Sequence, residues 1–219
     1  MSGEDNGGWL SDPEEIYRRS FARIAEECDL THLPETERHI AARIIHACGL
    51  PELAPNIRIS PGLQAAVEAA LDAGCAIYVD TEMTRAGIMR RLLPDGVRLH
   101  CLLHAPKTKK LARENHTTLT AASVTSWNIQ SESSICIIGN APTALFQLLD
   151  RLEREDSFPA AILGFPVGFI GATESKERLH LLLQRGIKGA TLLGRAGGAG
   201  MAAAAMNAIL LQWRRNRAG

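Results

Sequence analysis

The sequence lacks several features that mark whole classes of protein. Its 24 Lys and Arg residues balance 24 Asp and Glu residues, so no excess of positive charge is present to hold a nucleic acid. The longest apolar run, Met201 to Leu211, is interrupted by Asn207, and a membrane-spanning helix needs about 20 residues. The first 15 residues contain neither the basic nor the apolar segment of a secretory signal. We therefore predict no nucleic-acid partner, no membrane association and a cytoplasmic location.

Metal and nucleotide motifs are also missing. The five cysteines are an odd number, are spread along the chain and form no C-x-x-C pair, which argues against a zinc site and against a disulfide framework. His32, His39 and His46 lie seven residues apart, too far along a helix to bind one ion together. No G-x-G-x-x-G motif opens the first strand–helix unit, and no P-loop lysine occurs. We predict no metal and no organic cofactor. An enzyme that uses a dinucleotide or ATP is the second-ranked functional class.

What the sequence does contain is one domain's worth of apolar residues. With 219 residues, 46% of them apolar, the chain is long enough to bury a core without a metal or disulfide. Residues 1–12 are rich in Gly, Asp and Glu, and we predict a flexible N-terminal segment there. Asp12 and Pro13 then have the residue types of a helix cap and a first helical position. Residues 13–219 are predicted to form a single domain.

Short apolar runs alternate with helical patterns along that domain. The runs predict strands at 56–60, 75–80, 97–103, 134–138, 160–163 and 190–193. Helices are predicted from 13 to 28, 33 to 49, 61 to 73, 84 to 93, 108 to 114, 142 to 152, 175 to 185 and 201 to 213. Because the strands look apolar on both faces, the pattern predicts an α/β fold in three layers, with a mostly parallel sheet covered by helices on both sides.

Four loops of unusual composition follow four of these strands. They occupy residues 80–83, 139–143, 164–169 and 194–200, and the last three of them begin with glycine. In parallel sheets such loops meet at the carboxyl edge, where backbone N–H groups point outward. The sequence therefore predicts a broad binding site at this edge for a ligand that carries several carboxylates or phosphates.

Two of these loops and two earlier segments contain longer motifs. They are Ser20-Phe21, Ile45 to Gly49 (IHACG), Gly139 to Phe146 (GNAPTALF) and Gly164 to Glu177 (GFPVGFIGATESKE). In this combination the sequence resembles the precorrin-8X methylmutase (precorrin isomerase) family of cobalamin biosynthesis, and the resemblance extends from about Asp12 to Leu211.

This resemblance implies a Rossmann-like fold, a homodimer and an isomerase. The reaction moves a methyl group from C-11 to C-12 of precorrin-8X, or of its cobalt form, and yields hydrogenobyrinic or cobyrinic acid. The family's active-site histidine corresponds to His46. A [1,5]-sigmatropic shift needs no nucleophile or redox cofactor, but protonation would polarise the macrocycle, and histidine holds or gives a proton near neutral pH.

The substrate of this family carries many carboxylates, which need cations and N–H donors. The predicted donors are Arg195, Lys176 and the backbone N–H groups around Asn140 to Thr143 and Gly197 to Gly198. Ser20 and Glu82 match motif positions and are predicted to line the pocket. The predicted substrate-binding residues are therefore Ser20, Glu82, Asn140, Thr143, Lys176, Arg195, Gly197 and Gly198.

Three positions depart from the family pattern. Leu119 stands where an arginine is expected. In the last glycine-rich loop, Ala196 replaces an arginine and Ala199 replaces a serine. Each lost charged contact weakens binding by about 1.5–3 kcal/mol when nothing replaces it. These departures leave an alternative open, in which the chain is a divergent, non-catalytic protein that binds or carries a tetrapyrrole.

Overall fold

A mostly parallel sheet forms the centre of the molecule. The computed structural model describes residues 9–129 and 134–218, and within these ranges six strands form one sheet in the order β1-β6-β5-β4-β2-β3. Neighbouring strands are parallel except β1 and β6, which are antiparallel. The strands are β1 (Ile57–Ile59), β2 (Ala76–Val79), β3 (Arg98–Cys101), β4 (Ser134–Ile138), β5 (Ala161–Gly164) and β6 (Gly189–Leu192).

Helices cover both faces of this sheet. One face packs against α2, α3 and α9, and the other against α6, α7 and α8, each with its own apolar cluster. The α/β prediction of three layers is thus confirmed. The helices are α1 (Pro13–Glu27), α2 (Arg38–Cys48), α3 (Leu63–Asp72), α4 (Glu82–Gly87), α5 (Pro106–Glu114), α6 (Leu119–Val124), α7 (Pro142–Glu155), α8 (Ala172–Gln184) and α9 (Ala199–Ala218).

The N-terminal helix begins where the sequence predicts. Asp12 caps α1 by accepting a hydrogen bond from the N–H of Glu14 at 3.0 Å, and Pro13 takes the first helical position. Residues 1–8 of the predicted flexible segment lie outside the described residues. Across 9–129 and 134–218, no helix is both long enough and apolar enough to cross a membrane.

Helix α4 ends earlier than the predicted helix at 84–93. The side chain of Asn207, on α9, accepts from the N–H of Met89 at 2.9 Å and donates to the carbonyl of Gly87 at 2.9 Å. Both backbone groups are thereby satisfied without a further helical turn, and a separate 3-10 turn follows at Arg90–Leu92. The boundary is set by a residue 118 positions away, so local periodicity misses it.

Helix α2 runs from the amino edge of the sheet toward its carboxyl edge. Glu37, just before the helix, accepts a hydrogen bond from the N–H of Gly62 at 3.0 Å. Two residues earlier, the N–H of Ser60 donates to the carbonyl of Gly189 at the amino end of β6, so the start of α2 lies near the amino edge. After α2, the chain reaches Asn56, whose carbonyl accepts from the N–H of Leu193 just beyond the carboxyl end of β6. The last turn of α2 therefore lies toward the edge where the loops after the parallel strands meet.

Candidate active site at the carboxyl edge of the sheet

The loops after β4, β5 and β6 are joined by backbone hydrogen bonds. The N–H of Val167 donates to the carbonyl of Asn140 at 3.3 Å, and the N–H of Gly168 donates to the carbonyl of Arg195 at 3.2 Å. The N–H of Gly198 donates to the carbonyl of Phe165 at 2.8 Å. The predicted gathering of these loops at one edge is confirmed, and they form one connected surface.

A buried carboxylate, Asp80, organises the loop after β4. It follows β2 and has no exposed surface. Its oxygens accept from the N–H groups of Gly139 at 2.9 Å, Asn140 at 2.8 Å and Ala141 at 3.0 Å, and from the hydroxyl of Thr84 at 2.9 Å. Four donors around one carboxylate fix the loop between β4 and α7 relative to β2.

Asp80 changes the role predicted for the backbone around Asn140. The N–H of Asn140 was expected to donate to a ligand, but it already donates to Asp80. The N–H of Gly198 is likewise used, since it donates to Phe165. The prediction of these two N–H groups, and of that of Ala141, as ligand donors is therefore corrected, because each already has a partner within the protein. What the loop after β4 presents outward is the exposed side chain of Asn140.

Lys176 also differs from the sequence-based expectation of a cation that faces the ligand. Its side chain, on the first turns of α8, is fully buried, and its Nζ donates to the carbonyl of Ala196 at 2.5 Å. Burial lowers the pKa of the Lys176 ammonium to about 8. In this structure Lys176 stabilises the loop after β6 from its buried side, through the hydrogen bond to Ala196.

Arg195 is an exposed cation at this edge. Its guanidinium carbon lies 5.4 Å from the ring centre of Phe169 in the loop after β5. Phe169 and Ile170 are 86% and 90% exposed, so this loop presents two large apolar side chains to solvent beside a positive charge. A flat, partly apolar ligand with carboxylate arms suits such a surface.

Thr143 lies in the first turn of α7, also exposed. Its hydroxyl pairs with that of Thr118 at 2.8 Å and lies 3.4 Å from that of Thr120. Leu119 stands between these two threonines and is 39% exposed. The position that lacks the expected arginine is therefore at the same edge as the loops.

Glu82 begins α4, just after Asp80. Its carboxylate pairs with Arg85 at 2.7 Å, and both side chains are partly exposed. Thr81 caps this helix by accepting from the N–H of Thr84 at 3.3 Å. Glu82 thus lies at the carboxyl edge as predicted, but its charge is already paired.

His46 lies on the last turn of α2 and is exposed. Its ring stacks on that of Phe21 with 5.0 Å between centres and lies 5.8 Å from the ring of Tyr17. Partial burial of the imidazole, and then the nearby charge of Arg43, lower the pKa of His46 below its usual 6.5. In the free protein at neutral pH, His46 is therefore mostly uncharged.

Ser20 belongs to the same part of the molecule, on α1 beside Phe21, and is half-buried. Within 9–129 and 134–218, no hydrogen bond, ion pair or ring contact joins Ser20 or His46 to the other predicted site residues. The predicted site residues thus form two groups, one on α1 and α2 and one at the loops of the carboxyl edge. The last turn of α2 lies toward these loops.

Gly197 allows the loop after β6 to pack closely. A Cβ at this position would lie 2.5 Å from the carbonyl oxygens of both Phe165 and Pro166. We expect Gly197→Ala to lower the free energy of unfolding by about 1–3 kcal/mol through this overlap, as measured by urea denaturation. Gly200→Ala is the control, because a Cβ there meets nothing within 4 Å and alanine favours a helix by about 1 kcal/mol. Equal effects of the two variants would contradict the close packing.

Three features of this region were not predicted from the sequence. The loop that contains Asp80 was recognised, but not its role as an acceptor for a neighbouring loop. Arg43, which lies beside His46, and the exposed pair Phe169 and Ile170 were not singled out. The residue three before His46 on a helix faces the same side, and that spacing is the signal that could have found Arg43.

Comparison with known proteins identifies the family. Residues 15–212 match the precorrin-8X methylmutase family model. A protein of Pseudomonas aeruginosa named precorrin-8X methylmutase is 45% identical over 92% of this chain and 96% of its own length. One of Sinorhizobium with the same name is 43% identical over 92% and 95%. A solved structure, the precorrin-8X methyl mutase of Thermus thermophilus, superposes with a TM-score of 0.79 at 29% identity, covering 93% of this chain and 97% of that one. With a match of this extent in sequence and in fold, the chain belongs to the precorrin-8X methylmutase family.

Proposed function

We propose that this protein is an isomerase of cobalamin biosynthesis that moves the methyl group at C-11 of precorrin-8X to C-12, giving hydrogenobyrinic acid. The observation that carries the proposal is near-full-length identity of 45% and 43% to two proteins named precorrin-8X methylmutase. Relatives named cobalt-precorrin-8 methylmutase, such as that of Leptospira interrogans at 33%, are less similar. This difference favours the metal-free substrate.

His46 is proposed as the proton donor to the macrocycle. Its exposed position leaves the ring accessible, while Phe21 fixes the ring orientation by stacking. Substrate and product are isomers, so the proton that His46 gives must return after the methyl group has moved. Binding of a substrate with several carboxylates would raise the pKa of His46 and charge it when it is needed.

The remaining predicted residues are proposed to hold the substrate in different ways. Exposed side chains of Arg195, Asn140 and Thr143 are available at the carboxyl edge to bind carboxylates. The residues proposed to line or shape the pocket are Ser20, Glu82, Lys176, Gly197 and Gly198. Lys176 and Gly198 act through the loop after β6, which their hydrogen bonds position.

Residues 13–219 are proposed to form a single domain, and two copies of it a homodimer. One continuous sheet with an apolar cluster on each face supports the single domain. Phe169 and Ile170 are exposed enough for a second copy to cover part of their apolar surface beside the ligand, which supports a dimer that adjoins the site. Sedimentation velocity tests the dimer, which would have twice the chain mass of 23.7 kDa.

A cytoplasmic location stays a prediction. All five cysteines are free thiols in the structure, which suits a reducing compartment.

An anaerobic absorbance time course with precorrin-8X tests the proposed activity. Because the methyl shift alters the conjugation of the chromophore, turnover is expected to change the spectrum progressively at catalytic amounts of protein. A shift that saturates at one ligand per chain, with no turnover, would contradict the enzyme and indicate a carrier. The absence of any spectral response would overturn the assignment of this substrate.

The pH dependence of turnover should report the state of His46. If the charged imidazole is the proton donor, kcat/KM falls as pH rises through the free enzyme's pKa, and this fall should be centred below 6.5. The fall in kcat, which reports the bound complex, should lie at higher pH. Steady-state rates between pH 5 and 8 measure both profiles. A kcat/KM that increases with pH would instead make His46 a base.

A further inference from the structure

A groove beside His46 is lined by two cations that have no acidic partner. It has a volume of about 190 Å³ and lies between α1, α2 and the end of α9. Arg43 and Arg215 line it, and among the described residues no Asp or Glu side chain does. Neither arginine forms an ion pair or a side-chain hydrogen bond within 9–129 and 134–218.

Arg43 is held in place without its charge being neutralised. Its guanidinium carbon lies 5.3 Å from the ring centre of Tyr17 and 5.6 Å from that of Phe21. Burial, and then the like charge of Arg215, lower the pKa of Arg43. Two neighbouring cations repel each other, and a carboxylate placed between them would relieve that repulsion and accept hydrogen bonds from both.

The same aromatic residues connect this groove to His46. The ring of Phe21 contacts both residues: the His46 ring centre lies 5.0 Å from its centre, and the Arg43 guanidinium carbon lies 5.6 Å from it. A ligand whose macrocycle contacts His46 can therefore extend a flexible carboxylate arm into the groove. The groove is lined by apolar as well as charged groups, which suits the methylene carbons of such an arm.

We propose that Arg43 and Arg215 form a binding subsite for one peripheral carboxylate of the substrate, next to His46. The proposal rests on the proposed function, since it takes the tetrapyrrole as the ligand. The subsite adds cations that the edge loops lack at Leu119 and Ala196. Arg43 and Arg215 act there as specificity residues that anchor the ligand.

Binding of the product, hydrogenobyrinic acid, tests the subsite by absorbance titration. Arg43→Gln and Arg215→Gln are each expected to raise Kd by about tenfold or more. Arg185→Gln removes the same charge from an exposed arginine at the end of α8, without a described side-chain partner, and should stay within about twofold. Thermal unfolding of each variant checks that the fold is retained, and Arg43→Lys should restore part of the affinity.

A second ligand separates charge recognition from a structural effect. The product with its carboxylates converted to amides should bind the wild type more weakly than the acid does. This difference between acid and amide should shrink in the variants Arg43→Gln and Arg215→Gln, because each variant lacks a positive charge that would bind the carboxylate. Unchanged Kd values in both variants, with a wild type that binds and turns over its substrate, would overturn the subsite alone. A wild type that neither binds nor converts the tetrapyrrole would overturn the proposed function instead.

Discussion

Replacement of His46 by alanine is expected to lower kcat by about 10²–10⁴, the usual contribution of a positioned proton donor. Binding should change little, because the imidazole is exposed and makes no side-chain hydrogen bond in the described part of the chain. The measurement is the absorbance assay with precorrin-8X, with kcat and KM determined separately. Titration with hydrogenobyrinic acid shows whether the variant still binds the macrocycle.

The matched control is His180→Gln on α8, which covers the opposite face of the sheet. Its activity should remain within about twofold of the wild type. His46→Ala with undiminished kcat would exclude His46 as the proton donor. A large increase in KM at constant kcat would make His46 a binding residue instead.

Among the substitutions proposed here, removal of the Asp80 carboxylate should cause the largest decrease in the free energy of unfolding. Asp80→Ala leaves three buried or half-buried N–H groups without their acceptor, and leaves the Thr84 hydroxyl with Thr81 alone. Each unsatisfied buried donor costs about 1–3 kcal/mol, so we expect the free energy of unfolding to fall by about 4 kcal/mol or more. Asp80→Asn keeps one acceptor oxygen but places an NH₂ group against the N–H donors that the other oxygen bound. Its free energy of unfolding should fall by about half as much as that of Asp80→Ala. Urea denaturation followed by circular dichroism measures both.

Asp95→Asn provides the comparison for Asp80→Asn. Asp95 is exposed and forms no described side-chain contact, so its substitution should change stability by less than about 0.5 kcal/mol. Similar denaturation midpoints for Asp80→Asn and the wild type would contradict a structural role of Asp80. In an Asp80→Asn protein that still folds, we expect weaker substrate binding, because the loop with Asn140 and Thr143 would lose its fixed position.

The architecture was predictable because its signals are local. Asp12 and Pro13 mark the start of α1, and Gly49, at a φ of 68°, ends α2 where only glycine adopts the conformation easily. The inner strands, such as Ser134–Ile138, are buried on both faces, so their apolar runs are unbroken. These features depend on neighbouring residues alone.

Very short elements, and boundaries that depend on distant residues, were missed or misplaced. Helix α6 has six residues and was not predicted, since it is too short to show a clear period. The end of α4 is fixed by Asn207 from α9. No pattern within a single helix contains that information.

The candidate site was predicted in part for the same reason. The positions of the loops follow from the topology of a parallel sheet, and His46 from the motif that contains it. The partners of individual polar groups do not follow, because they are decided by tertiary contacts. Asp80 occupies the N–H of Asn140, and the buried Lys176 donates to Ala196. Sequence identifies such residues as part of the site but cannot tell a group that contacts ligand from one that supports a loop.

Migration of the methyl group is tested most directly by labelling. Precorrin-8X with ¹³C in the C-11 methyl group, incubated anaerobically with the protein, is expected to give a product whose ¹³C resonance couples to C-12 by NMR. In a mixture of unlabelled substrate and substrate labelled in both the C-11 methyl group and the macrocycle, an intramolecular transfer gives no product that carries only one of the two labels, as mass spectrometry would show. A resonance that stays at C-11 while the ligand is bound would contradict the methylmutase assignment.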